Sequence, residues 1–154
     1  MKRLSYILAL VLLLSSCESQ LANTAITQDE KITSFIESKY PDTPVIFNGG
    51  VNRIVLEEGD STHFAVPGDL VNFSYVGYLF SGSIGSAFTS GDAIHILGER
   101  EMIQGLELGI EGMCPGEKSY IVFSCKYGYD NTVAGIGRDQ ALLFEVLMND
   151  IKPQ

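Results

Sequence analysis

Alternation of apolar and polar side chains dominates the second half of the chain. Val71, Phe73 and Tyr75 fall on one face of an extended segment with Asn72 and Ser74 on the other, and Leu142, Phe144, Val146 and Met148 share a face opposite Glu145 and Asn149. A period of two is what a half-buried strand requires. Ile121, Phe123 and Cys125 alternate in turn with Tyr120, Val122 and Ser124, and because both faces are fairly apolar this strand is expected near the centre of a sheet. Pro41, Pro44, Gly49 and Gly50 mark turns before a further strand from Val51 to Leu56, which runs into a turn at Glu58 to Ser61. The Ser- and Gly-rich stretch from Phe80 to Gly91 reads as a long mobile hairpin loop.

The period changes between Leu97 and Glu117. Five glycines, at 98, 105, 109, 112 and 116, leave room for one short helix, and Met102, Ile103, Leu106 and Ile110 form an apolar stripe about two turns long. A helix below about 12 residues is marginal alone in water. This one therefore needs a sheet to lie in.

At the other end, Thr27 and Glu30 make a capping-box pattern before Ile32, Phe35 and Ile36, which predicts a helix from about Gln28 to Lys39, closed at Tyr40 and Pro41. Its stripe is expected to pack on the domain or on a partner. Upstream, Met1, Lys2 and Arg3 precede an apolar run from Tyr6 to Leu14, too short to span a bilayer, and then Leu14, Ser15, Ser16 and Cys17. This reads as a signal peptide over residues 1–16. The four residues ending at Cys17 resemble the bacterial lipobox, which implies lipidation of Cys17 and a protein anchored to a bacterial cell envelope, on the periplasmic or outer-membrane side. Residues 17–27, polar and aperiodic, read as the tether.

The segments SYVGYLFSG, AFTSG, IHILGEREMIQGLELGIEGMCPGEKSYIVF, YGYDN and ALLFEVLMNDI resemble, in order and spacing, the FKBP-type peptidyl-prolyl cis-trans isomerases over roughly Gly50 to Ile151. The resemblance implies an α+β fold in which an antiparallel sheet of five to six strands wraps around one short helix. The division expected is a leader at 1–16, a tether at 17–27, an N-terminal helix and linker at 28–49, and the FKBP-like domain at 50–154. The resemblance also implies a pocket lined by Tyr75, Phe88, Met102, Ile103, Leu106, Tyr129, Ile136 and Phe144. The Ile103 N–H and the Tyr129 hydroxyl would hold substrate carbonyls, and Leu106 would supply the floor where a Trp is common. The chain departs from the pattern at Thr89, where an Asp is usual, at Ala93 to Ile96, which replace a Phe-rich strand, and at Gly135 to Arg138, which replace an Ile-Pro run.

Such a site acts on the X-Pro bond of proline-containing segments in envelope proteins, without cofactor or metal. Rotation about the bond has a barrier of about 18 to 20 kcal/mol, because the planar amide gives up its resonance. An apolar pocket favours the less dipolar twisted state, and a thousandfold acceleration asks for about 4 kcal/mol. The competing reading keeps the fold as a binding or structural lipoprotein with impaired turnover.

Charge and cysteine content narrow the alternatives. Loss of Lys2 and Arg3 with the leader leaves 8 basic residues against 19 acidic, a net charge of −11 over 138 residues. Nucleic acid and anionic headgroups are poor partners for that balance. One domain is expected, and a monomer. In the resembled fold Cys114 and Cys125 bracket one strand, so at about 3.3 Å per residue they stand too far apart to join, and two free thiols are expected. The Ser-rich loop lacks the glycine spacing of a nucleophile elbow around Ser83. His63 and His95 have no cysteine or carboxylate at ligand spacing and read as structural.

Overall fold

The computed structural model describes residues 2–131, 133 and 135–154, with side chains from residue 20 onward. Helix α1 (Lys2–Lys39) leads into strands β1 (Val45–Asn48), β2 (Val51–Glu57), β3 (Leu70–Phe80) and β4 (Ile84–Ile96). Helix α2 (Gln104–Ile110), strand β5 (Lys118–Phe123), a single 3-10 turn (Cys125–Tyr127) and strand β6 (Ala141–Lys152) follow. The six strands form one antiparallel sheet in the order β1-β2-β5-β6-β3-β4. This is the expected α+β architecture, with β5 inside the sheet as its two apolar faces require.

Both faces of the sheet are covered, and the two-residue period decides which side chain goes where. Val71, Phe73, Ile121, Phe123, Phe144 and Met148 point to the face that holds α2, where Leu106, Ile110 and Met113 complete the main core. Ile54, Phe80, Val122 and Leu143 point to the opposite face, which Ile32 and Phe35 of α1 cover. Phe35 meets Phe80 edge-on at 5.2 Å and Tyr40 at 5.5 Å. The stripe of the N-terminal helix thus packs on its own domain.

Helix α2 can lie in the sheet because of two glycines. A Cβ on Gly105 would sit 2.4 Å from a ring carbon of Phe123, and one on Gly109 would sit 2.2 Å from Cγ2 of Ile121. Its C-terminal end is held by a buried cation. The Arg53 guanidinium donates to the carbonyls of Gly109 (3.2 Å), Glu111 (2.8 Å) and Gly112 (3.2 Å), groups that a helix end otherwise leaves unpaired. Its Nε lies 3.3 Å from Oε1 of Glu117, an ion pair without hydrogen-bond alignment. Ser119 donates to the same carboxylate oxygen at 2.7 Å, so neither buried charge stands alone.

Several expectations need correction. Helix α1 begins well before Gln28, and of the residues read as a tether, those from 20 onward are helical. Thr27 is inside the helix rather than its cap, and donates back to the Asn23 carbonyl at 3.2 Å, as Thr24 does to Gln20 at 2.9 Å. Ala25 is buried, which explains helix in a stretch without an apolar stripe. The expected leader at 1–16 and the lipidation site Cys17 lie outside the residues whose side chains are described. From residue 20 onward, where side chains are described, no helix is long and apolar enough to cross a membrane.

Phe80 to Gly91 is no loop. It is a tight turn followed by β4, paired with β3 from Phe80↔Ile84 to Leu70↔Ile96. Small polar residues there suit an edge strand with one open face, and composition alone cannot tell that from a loop. Strand β1 occupies a segment read as turns, held by the β1–β2 hairpin at Gly49 and Gly50, both with positive φ. Cys114 and Cys125 are free and buried.

Substituting Gly109→Ala tests the close approach of α2. Alanine favours helix by up to about 1 kcal/mol, but Ile121 is fully buried and stiff, so overpacking is expected to prevail with a net loss of about 1 to 2 kcal/mol in urea denaturation.

Candidate functional site

Where α2 begins, the sheet curls around a hollow of about 250 Å3. Phe73 and Tyr75 of β3 and Phe144 of β6 form one wall, Thr89, Ala93 and His95 of β4 a second, and Glu101, Met102, Ile103 and Leu106 the approach to α2 and its first turn. Tyr129, on the 17-residue connection between β5 and β6, closes the remaining side.

Ring packing sets the shape. Phe144 lies at 6.2 Å from Tyr75, stacks parallel on Phe123 at 6.0 Å and receives Phe88 edge-on at 5.8 Å. The approach of Phe88 depends on Gly77, where a Cβ would come within 2.7 Å of the Phe144 ring and 2.8 Å of the Thr89 methyl. The register also shifts between Gly77 and Tyr78, where Thr89 pairs with the first and Ala87 with the second. Such a bulge re-aims side chains, and here both Phe88 and Thr89 reach the α2 side.

Of the eight residues expected to line the pocket, six meet at the hollow: Tyr75, Met102, Ile103, Leu106, Tyr129 and Phe144. Phe88 stands behind Phe144 as support. Ile136 is buried in the main core, and that burial ties down the connection that carries Tyr129. Leu106 is nearly buried, which fits a floor.

Phe73, His95 and Glu101 also line the hollow and were not among the residues expected there. Phe73 was legible as a core position on the same face as Tyr75. The histidines do have carboxylate partners: His63 Nε2 is 2.8 Å from Asp69 and His95 Nδ1 is 3.1 Å from Glu101. Each pair is six residues apart in sequence, joined only because the chain turns back on itself. His95 lies 6.3 Å from the Phe73 ring, so this wall is part aromatic and part ionisable.

The polar groups at the rim are few. Ile103 is extended at φ −62° and ψ 146°, and its carbonyl accepts the first α2 bonds, from Leu106 and Glu107. Burial pushes the Tyr129 phenol above the ordinary tyrosine value, and the neighbouring Tyr75 adds to the shift. Its hydroxyl is therefore a neutral donor throughout the physiological range. Two larger clefts share Tyr129 as a wall, one along Met102 to Leu108, the other between α1 and the β5–β6 connection. Both are rimmed by charged groups, whereas aromatic and aliphatic side chains make up most of the lining of the hollow. No three His, Cys, Asp or Glu side chains among the described residues converge as metal ligands.

Residues 61–149 match the family described as FKBP-type peptidyl-prolyl cis-trans isomerase, more than half of the chain, and the chain belongs to that family. It is 36% identical over 109 residues to the peptidyl-prolyl cis-trans isomerase FPR2 of Saccharomyces cerevisiae, covering 68% of this chain and 79% of the yeast protein. It is 32% identical over 123 residues to FK506-binding protein 2B of Rhizopus delemar, covering 75% of this chain and 57% of that protein. With FK506-binding protein 1 of Aspergillus oryzae the identity is 31% over 110 residues, 63% of this chain and 94% of the relative.

The raised Tyr129 value has a consequence for pH. As pH climbs the unfolded chain releases this proton first, so the group's contribution to stability is whole below pH of about 10 and is lost as pH rises through the folded value. In a spectrophotometric titration, Tyr129→Phe is expected to remove a tyrosine that ionises above the ordinary value; loss of one that ionises at it would contradict the burial.

Proposed function

We propose that the hollow is a peptidyl-prolyl isomerase site, in which an X-Pro bond leaves water and twists. The observation that carries this reading is the convergence of Tyr75, Phe144, Met102, Ile103 and Leu106 on one small apolar cavity, with a neutral Tyr129 hydroxyl at its side. The planar amide is the more dipolar form and gains more from hydration, so excluding water raises it relative to the twisted state. The Tyr129 hydroxyl donates to one substrate carbonyl and the Ile103 N–H to another, which orients the segment. No proton transfer and no covalent bond to the protein are needed.

An isomerisation assay on an X-Pro peptide tests this directly. Wild type is expected to exceed the uncatalysed rate, and Tyr129→Phe to reduce kcat/KM by about 3- to 10-fold, the effect of one hydrogen bond. A wild-type rate equal to background would remove the reading.

Thr89 and Ala93 favour a second reading on specific grounds. Both line the hollow, where a hydroxyl replaces the usual carboxylate and a methyl the usual aromatic ring. A peptide that binds without turnover would identify a binding module on the same fold.

The start of the chain adds the setting. Met1 to Arg3, the apolar run to Leu14 and Cys17 after two serines support a lipid-anchored folding helper for proteins of a bacterial cell envelope, monomeric and held to the membrane through acylated Cys17. Full-length protein expressed in a bacterium with a labelled fatty acid is expected to carry the label and to fractionate with membranes, and Cys17→Ala to do neither. Equal labelling of both would exclude this anchor.

A further inference from the structure

Gln28 of α1 reaches both ends of the connection that carries Tyr129. Its Oε1 accepts the Cys125 N–H at 2.8 Å, and its Nε2 donates to the Asp139 carbonyl at 2.7 Å. Cys125 and Asp139 are the two stems of the β5–β6 connection, 97 and 111 residues from Gln28 in sequence. A connection of 17 residues is long for a compact domain, and its ends need fixing if its tip is to hold a position.

We infer that Gln28 is a positioning residue for the substrate site: α1 sets the Tyr129 wall by clamping both stems of its loop with one side-chain amide. This rests on the isomerase reading above and assigns the N-terminal helix a part in it. The chemistry of the clamp is selective. The carboxamide presents an acceptor and donors on one rigid plane; a carboxylate cannot donate, and an ammonium cannot accept. The clamp is also anchored, because Ala25, Ile32 and Phe35 on the same helix are buried. The position of Gln28 relative to β5 and β6 is therefore set by packing rather than by the two bonds alone. Between helix and loop lies the cleft walled by Ala25, Cys125, Tyr129 and Arg138, so Tyr129 is flanked by α1 on one side and the hollow on the other.

The full chain is compared with Gln28→Ala and Gln28→Glu, and with Thr33→Ala as a control, since Thr33 bonds only within α1, to the Asp29 carbonyl. Three quantities are read: hydrogen exchange at the Cys125 amide, the NMR shift of the Tyr129 ring, and KM and kcat for an X-Pro peptide. In Gln28→Ala the Cys125 amide is expected to exchange at least tenfold faster, the Tyr129 signal to move, and KM to rise about 3- to 10-fold, while the urea midpoint stays near that of wild type. Gln28→Glu keeps the acceptor and loses the donor, so it is expected to retain Cys125 protection with an intermediate KM. Unchanged exchange and an unmoved Tyr129 signal in Gln28→Ala would overturn the inference. So would faster exchange with an unaltered KM, or an equal loss in Thr33→Ala. If wild type shows no turnover, the isomerase reading fails separately, and the exchange rate and ring signal still decide whether Gln28 sets the loop.

Discussion

The rest of the structure depends on how closely α2 approaches β5. At Gly105 and Gly109 the helix backbone rests on the side chains of Phe123 and Ile121 with no room for a methyl group between them. That contact seats a seven-residue helix that could not persist in water. It brings Ile103 and Leu106 to the aromatic wall. Arg53 then secures the far end of α2 by donating to three carbonyls, with Glu117 as its counter-charge. Apolar contact runs along α2 from Gly105 to Gly109 and charge-assisted bonds hold its C-terminal end, so its position along the sheet is determined twice.

The outer face of the sheet shows a second use of the same logic. Ile54, Phe80, Val122 and Leu143 would be an exposed apolar patch without α1. Ile32 and Phe35 cover it, and the helix extends past them toward the 3-10 turn at Cys125. The sheet is therefore the middle layer of three, and the side that carries the hollow is coupled to the side that carries α1 through the β5–β6 connection.

The hollow itself is built from edge-on and parallel rings around Phe144, with the bulge opposite Gly77 turning Phe88 in as support. Its β4 wall differs in kind, because His95 and Glu101 place a polar pair beside the rings.

Strand periods were legible in the chain because alternation at Val71 to Tyr75 and Leu142 to Met148 follows from burial of one face, a local property. The glycine-bounded stripe from Met102 to Ile110 was legible for the same reason, and it holds Met102, Ile103 and Leu106 of the hollow, while the family resemblance was needed to place these three with Tyr75, Tyr129 and Phe144 in one pocket. Expectations failed where the deciding partner is distant. Thr27 could be a cap or an interior helix residue, and the burial of Ala25 against the far end of the chain selects the second. Phe80 to Gly91 could be a loop or an edge strand, and eleven residues of β3 decide for the strand. His95 and Glu101 become a pair only through a turn that sequence spacing does not encode. By itself, then, the sequence determined which faces must be buried and which short helix the sheet must hold. Tertiary structure alone decided what stands beside the site, because Gln28, His95 and Glu101 act through partners that only the folded chain brings within reach.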